Sequence, residues 1–430
     1  MIGTVTVSPA HGAVDSVVRM ESARLIAGLA RFTGDVGLAE ELAQDAVVAA
    51  LEQWPAAGVP HNPGAWLMAV AKRRAVDLFR RNDTLRRKYA EISRQWQRDG
   101  EAVTPDFDRA FSDDIDDDLL RLVFTACHPV LSPQARVALT LRVLGGLTTA
   151  EIARAHLVAE STIAQRIVRA KKALARAGVP FEVPAAEDRP ARLAAVLEVI
   201  YLIFNEGYSA TAGEDWMRPA LCEDAVRLAR ILAELMPAEP EVHGLVALLE
   251  IQSSRATARV GRNGEPILLL EQNRARWDRL LINRGLAALA RAEQLSGADG
   301  RYALQAAIAA CHARAFRPGD TDWSRIAELY AMLARQRPSP VVELNRAVAL
   351  SMAIGPQAGL DLVDAIIAEG SLQGYHLLPS VRGDLLMKLG RFGEAGAEFE
   401  RAAALTRNER ERELTLNRAT LAHSQHAESS

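Results

Sequence analysis

The 430 residues predict an all-α protein built from more than one module. Three observations carry this. Ala, Leu and Arg recur at helical spacing along the whole chain, alternating β-branched runs are scarce, and aromatics make up only 5%. With 49% hydrophobic and 24% charged residues the chain can bury real cores, and its length calls for two or three domains. The net charge of -3 means that any nucleic-acid binding must come from local basic patches and not from a globally cationic body.

Met1 to Ala13 lacks a basic stretch followed by an apolar one, and no apolar run is long enough to span a bilayer, so a cytosolic protein without membrane contact is expected. Cys127, Cys222 and Cys311 are odd in number and far apart, which suits reduced thiols. Cys127-His128 and Cys311-His312 would make a metal quartet only if the fold joined them. A small buried hydrophobe is the commoner role of free Cys, so no metal or cofactor is expected.

Residues 14–82 read as a first helical domain, interrupted by the Pro/Gly-rich loop from Pro55 to Gly64. There Asn62-Pro63 supplies a cap and a first-turn proline for a helix running from Pro63 to Arg81. Leu67, Met68, Ala71, Ala75, Leu78 and Phe79 form its predicted core side. Trp66, Arg73, Arg74, Asp77, Arg80 and Arg81 face the other way, a basic surface with an aromatic at one end that suits phosphates and an unstacked base. Solvated arginines and a packed tryptophan would explain the same pattern. Residues 83–118 read as a polar, acidic linker, ending in aspartates that are solvated and sit at the start of a helix near Leu119.

Residues 119–177 form the next helical block. Thr148 and Glu151 have capping-box spacing, so a helix starts there, and a turn over His156 to Ala159 leads to a second helix. On that helix Ile163, Ile167, Ala170 and Leu174 fall on one side, while Ser161, Thr162, Gln165, Arg169, Lys172 and Arg176 project from the other, with Arg166 beside them. Arg and Gln can make paired hydrogen bonds to base edges, Ser and Thr near a helix start can bind phosphate, and the remaining cations neutralise the backbone. The capped helix, turn and basic helix together read as a helix-turn-helix. A linker over residues 178–190 follows, and residues 191–421 are helix after helix. Near their end, Phe392, Ala395, Phe399 and Ala402 have the small-large-small spacing of a helical repeat.

These blocks resemble a known family. The strings Gly37-Leu-Ala-Glu-Glu-Leu-Ala-Gln-Asp-Ala, Trp66-Leu-Met-Ala-Val-Ala-Lys-Arg-Arg-Ala-Val-Asp-Leu-Phe-Arg-Arg and Gly146-Leu-Thr-Thr-Ala-Glu-Ile-Ala resemble bacterial sigma factors of the extracytoplasmic-function type. The resemblance implies a sigma-2 domain over 14–82, whose helix with Glu41, Gln44 and Asp45 docks on core RNA polymerase. It also implies that Asn62, Trp66, Arg73, Arg74, Asp77, Arg80 and Arg81 meet the minus-ten element of promoter DNA. A sigma-4 domain over 119–177 would present Ser161, Thr162, Gln165, Arg166, Arg169 and Lys172 to the minus-thirty-five element. Leu157 stands where the family turn usually has Gly.

The strings Tyr201-Leu-Ile-Phe-Asn-Glu-Gly-Tyr208, Arg276-Trp-Asp-Arg279 and Ser339-Pro-Val-Val-Glu-Leu-Asn-Arg346 resemble the large extension of one subgroup, described as tetratricopeptide-like and regulatory. On the residues alone, Asn205, Glu206, Trp277 and Asp278 either line a groove or serve as caps and core edges. A free-standing, ligand-responsive helix-turn-helix regulator and a repeat-based adaptor stay open as alternatives. No nucleophile paired with a base appears, so no catalytic activity is expected.

Overall fold

The computed structural model describes residues 9–81, 115–156, 158–210, 216–262 and 264–429. These residues are helical throughout, and the only β pairing among them is an isolated bridge between Val260 and Pro266. The acidic linker falls largely outside the described residues, as does Leu157. Two compact units result, residues 1–199 and residues 200–430, with the division falling inside one helix.

In the first unit, α1 (Pro9–Thr33), α2 (Val36–Ala57) and α3 (Pro63–Arg81) pack together. Gly34 turns the chain at φ 68°, a left-handed value that favours glycine, and Asp35 caps α2 by accepting from the Gly37 and Leu38 amides. Ala30, Ala39, Ala46, Ala50, Ala71 and Ala75 are all buried, and their small side chains let the three helices approach closely. Phe32 and Phe79 close the far end with ring centroids 6.0 Å apart. Leu78 departs from the predicted core: it is 41% exposed, because at this last turn no described residue covers the face it shares with Leu67 and Ala71.

The next helix, α4 (Ile115–Ala126), starts four residues earlier than the sequence suggests. Its aspartates are consequently inside the first turn, and Asp118 is buried instead of solvated. Asp118 accepts from Arg121 at 3.0 Å and lies 3.6 Å from Arg31 on α1, so the repulsion expected within the acidic run is offset by two cations. Ser132 caps α5 (Pro133–Val143), with a proline at its first position. The capping box of α6 (Thr149–Ala155) forms as expected, Thr148 Oγ1 accepting from the Glu151 amide and Glu151 accepting from the Thr148 amide. The turn leads to α7 (Glu160–Arg176), whose buried residues are Ile163, Ile167, Ala170 and Leu174, the four that its periodicity selects.

Helix α8 (Arg189–Tyr208) enters the second unit. There α9 (Pro219–Leu235), α10 (Pro240–Ser253), α11 (Arg279–Gln294) and α12 (Arg301–Arg314) precede α13 (Trp323–Gln336), α14 (Pro340–Ala353) and α15 (Pro356–Ala368). The unit ends with α16 (Leu377–Lys388), α17 (Phe392–Leu405) and α18 (Glu409–Ser429). Each helix from α13 onward packs chiefly on its sequence neighbours, the quasi-one-dimensional arrangement of helical repeats, whereas α12 packs most on α10. Ala395, Phe399 and Ala402 are buried at the α16–α17–α18 junction, with Leu344, Leu360, Val363 and Leu386 in the same core.

Gly383 on α16 has no room for a side chain, since a Cβ there would lie 2.7–3.0 Å from ring atoms of Phe399. Gly383→Ala is expected to lower the stability of this region by about 1–3 kcal/mol through overpacking. Thermal unfolding of the full chain followed by hydrogen exchange in 377–405 measures it, and unchanged protection there would contradict the expectation.

Candidate nucleic-acid interface

Two faces of the first unit carry the residues singled out above. On α3, Asn62 serves as the helix cap, its Oδ1 accepting from the Ala65 amide at 3.0 Å. Trp66 is half-buried, with its ring edge-on to the buried Trp54 at 5.3 Å between centroids, so it does not project freely as the sequence suggests. Arg73 and Asp77 are exposed. Arg74 is tied back to α2: its guanidinium donates to the Asp45 carbonyl at 2.7 Å and lies 3.4 Å from the Asp45 carboxylate. The side chains of Arg80 and Arg81 lie outside the described residues.

On α7, Ser161, Thr162, Gln165, Arg169 and Lys172 are exposed and Arg166 is half-buried. Thr162, Gln165, Arg166 and Arg169 line one wall of a shallow groove of about 400 Å³, and Val130, Leu131, Ser132 and Ala135 line the other. The face is therefore an edge of polar and cationic side chains above a buried aliphatic stripe, a shape that can enter a DNA major groove.

Glu41, Gln44 and Asp45 all lie exposed on α2. Gln44 is hydrogen-bonded to Glu40, a residue the sequence reading passes over although it organises the unit. Glu40 is 3% exposed, and it accepts from Arg142 Nε of α5 at 2.7 Å and from Lys171 Nζ of α7. Burial alone would raise its carboxyl, but Lys171 and Arg142 together hold it below the ordinary carboxylate range. The α2 and α7 helices are thus joined through one buried carboxylate. No local signal marks Glu40, because its partners stand about one hundred residues downstream.

The polar strings of the extension resolve individually. Glu206 pairs with Arg218, and Asp278 caps α11 by accepting from the Leu280 and Leu281 amides. Trp277 is buried against Arg255 and Arg274, and Asn205 lines a cavity. Cys127 is buried, its Sγ 3.4 Å from Thr140 Oγ1, and burial pushes its thiol up to about 11. Among the described residues no helix is long and apolar enough to cross a membrane, and no His/Cys/Asp/Glu group is arranged to hold a metal ion.

A capped helix-turn-helix behind a basic α3 defines a two-module, DNA-reading helical protein. Comparison with known proteins agrees with that class: sigma-70 region 2 matches residues 17–84, sigma-70 region 4 matches residues 121–174, and a family of unknown function (DUF6596) matches residues 192–293. An uncharacterised protein of Rhizobium meliloti (strain 1021) is 44% identical over 405 residues, covering 92% of this chain and 93% of its own length. A probable ECF RNA polymerase sigma factor, SigI, of Mycobacterium tuberculosis is 28% identical over 179 residues, 42% of this chain and 60% of SigI. No solved structure matches. The chain carries regions 2 and 4 of the sigma-70 family followed by a large C-terminal helical extension, which supports a sigma factor. That family is not one of enzymes.

Proposed function

We propose that the exposed α2 face with Glu41, Gln44 and Asp45 docks on core RNA polymerase, that α3 meets the minus-ten element, and that α7 reads the minus-thirty-five element in duplex form. The separation on α7 of a buried aliphatic stripe from an exposed Gln/Arg/Lys edge, behind a capped helix, carries this reading. The functional modules correspond to residues 14–82 and 119–177, joined by the acidic segment 83–118, with 178–190 leading to a regulatory extension over 191–421. The chain acts in the cytoplasm and contributes no catalytic side chain. Binding energy to the displaced strand offsets unpairing, and the polymerase supplies phosphoryl transfer.

Run-off transcription with core polymerase and a random promoter library tests the reading. Promoter-selective transcripts that require this chain are expected. Site-specific duplex binding by the chain alone, with no such transcripts, would establish a free-standing regulator instead.

Two residue-level outcomes follow from the geometry. Arg73→Ala, which removes an exposed cation without touching the Arg74–Asp45 contact, is expected to weaken every cognate promoter alike and to lower the slope of log affinity against log salt by about one. An unchanged slope in filter binding of the holoenzyme rules Arg73 out as a phosphate contact. Substituting Gln165 or Arg169 by Ala is expected to alter preference among upstream sequences by about 1–3 kcal/mol per base-edge contact. A loss uniform across sequences would assign them to phosphate.

A further inference from the structure

Three arginines lie in the interior of the second unit. Arg255, Arg259 and Arg274 are buried, and none forms an ion pair among the described residues. Buried charge outside a close ion pair is expensive; Glu411 attracts Arg259 and Asp320 attracts Arg274 from farther away, and neutral groups offset a further part of the cost. Arg259 lies 3.5 Å from the centre of the Tyr208 ring and 4.4 Å from that of Trp216. Arg274 donates to the His312 and Ala315 carbonyls at 2.8 Å and to Thr321 Oγ1 at 3.0 Å. Arg255 donates to the Tyr208 hydroxyl at 2.6 Å and to Gln252, yet among the described residues its Nε has no partner, and neither has Nδ1 of the buried His312.

Both of those residues line a cavity of about 720 Å³. Arg301 and Arg337 line it as well, and among the described residues no aspartate or glutamate does. Rings of Tyr201, Phe204, Tyr208 and Tyr330 supply flat apolar wall, and Asn205, Gln305 and Asn345 supply amides. The Tyr201 hydroxyl donates to Gln305 Oε1 at 3.1 Å, and the Arg301 guanidinium lies over the Tyr201 and Tyr302 rings. Two of the three extension strings that stand out in the sequence, Tyr201–Tyr208 and Ser339–Arg346, converge here from α8 and α14. The volume lies within the range of small-molecule sites, which are largely apolar with a few convergent polar groups.

We propose that this cavity binds a small organic anion, an acidic group carried on a flat apolar body. Arg255 and Arg301 hold the acidic group, and the Tyr201, Phe204 and Tyr208 rings hold the body. His312 joins as a neutral donor or acceptor, since burial and the neighbouring Arg255 and Arg274 push it down to about 3. Nothing in this assignment depends on the sigma modules, and its test needs no polymerase.

The test is fluorescence titration of the full chain with anilinonaphthalene sulfonate, beside its uncharged analogue phenylnaphthylamine, at low salt. Saturable binding at one site is expected, at least tenfold tighter for the sulfonate than for the uncharged dye. Arg301→Gln is expected to weaken the sulfonate at least tenfold, and Asn345→Trp, which places an indole at the cavity wall from the exposed side of α14, to abolish the signal while circular dichroism stays unchanged. Equal affinity for the two dyes overturns the proposal without recourse to any variant, and sulfonate binding that survives either substitution in a folded chain overturns it as well.

Discussion

Glu40→Gln is expected to loosen the contact of α2 with α5 and α7 by about 3–5 kcal/mol, the usual cost of removing one partner from a buried ion pair. The amide keeps the shape of the carboxylate but cannot neutralise the Arg142 and Lys171 side chains, which are only 18% and 15% exposed. Amide exchange in residues 36–57 and 160–176 of the full chain should accelerate about 10²- to 4 × 10³-fold, since each 1.4 kcal/mol is a factor of ten. Exchange at the wild-type rate would show that the carboxylate contributes nothing. The sign of the pH dependence is fixed by the same cations. Because folded Glu40 titrates below its ordinary value of 4.5, its stabilisation is complete above about pH 4.5 and is lost as the pH falls through the lower folded value. The Glu40→Gln chain should lack that acid step in the same two segments.

Phe399→Ala is expected to cost the second unit about 3–5 kcal/mol. Phe399 is 1% exposed, its ring fills the space left by Gly383, and the Arg418 guanidinium of α18 lies 4.3 Å from its centre. Truncation opens a cavity that Gly383 cannot fill and deprives the half-buried Arg418 of its aromatic partner, so α16, α17 and α18 should unfold together before the rest of the unit. Denaturant titration followed by hydrogen exchange should show an early transition confined to residues 377–429. A single transition at the wild-type midpoint would contradict this account. Gly383→Ala perturbs the same contact from the other side, and the two substitutions should be non-additive.

Much of the local structure is legible from periodicity. The α7 stripe of Ile163, Ile167, Ala170 and Leu174 follows from spacing alone, as does the Thr148–Glu151 cap, because both are set within one or two turns. What spacing cannot supply is the environment of a helix face. Leu78 sits on the correct arc of α3 but beyond the residues that cover it, and Trp66 finds Trp54 across a loop. Asp118 looks like one more solvated aspartate until α1 brings Arg31 alongside. Glu40 and the Arg255 cavity are the extreme cases, since each is assembled from residues tens to more than one hundred positions apart and its chemistry exists only after the helices have packed.

The Glu40 bridge also sets a limit on reach. The described residues of the first unit number 157, and a compact body of that size has a radius of gyration of ~15 Å and measures about 40 Å across. The minus-ten and minus-thirty-five elements that α3 and α7 are proposed to read lie, by their designations, roughly 25 base pairs apart, about 85 Å along the duplex at ~3.4 Å per base pair. With α2 latched to α7, the molecule is too short a ruler to touch both marks at once. Engagement of a whole promoter must draw on a form in which the latch is open, so the observed affinity equals the intrinsic affinity scaled by the fraction of molecules in that form. Each 1.4 kcal/mol held by the latch reduces that fraction tenfold. A partner that gains more from the exposed α2 surface than the latch contributes can therefore set how far apart the two reading heads stand.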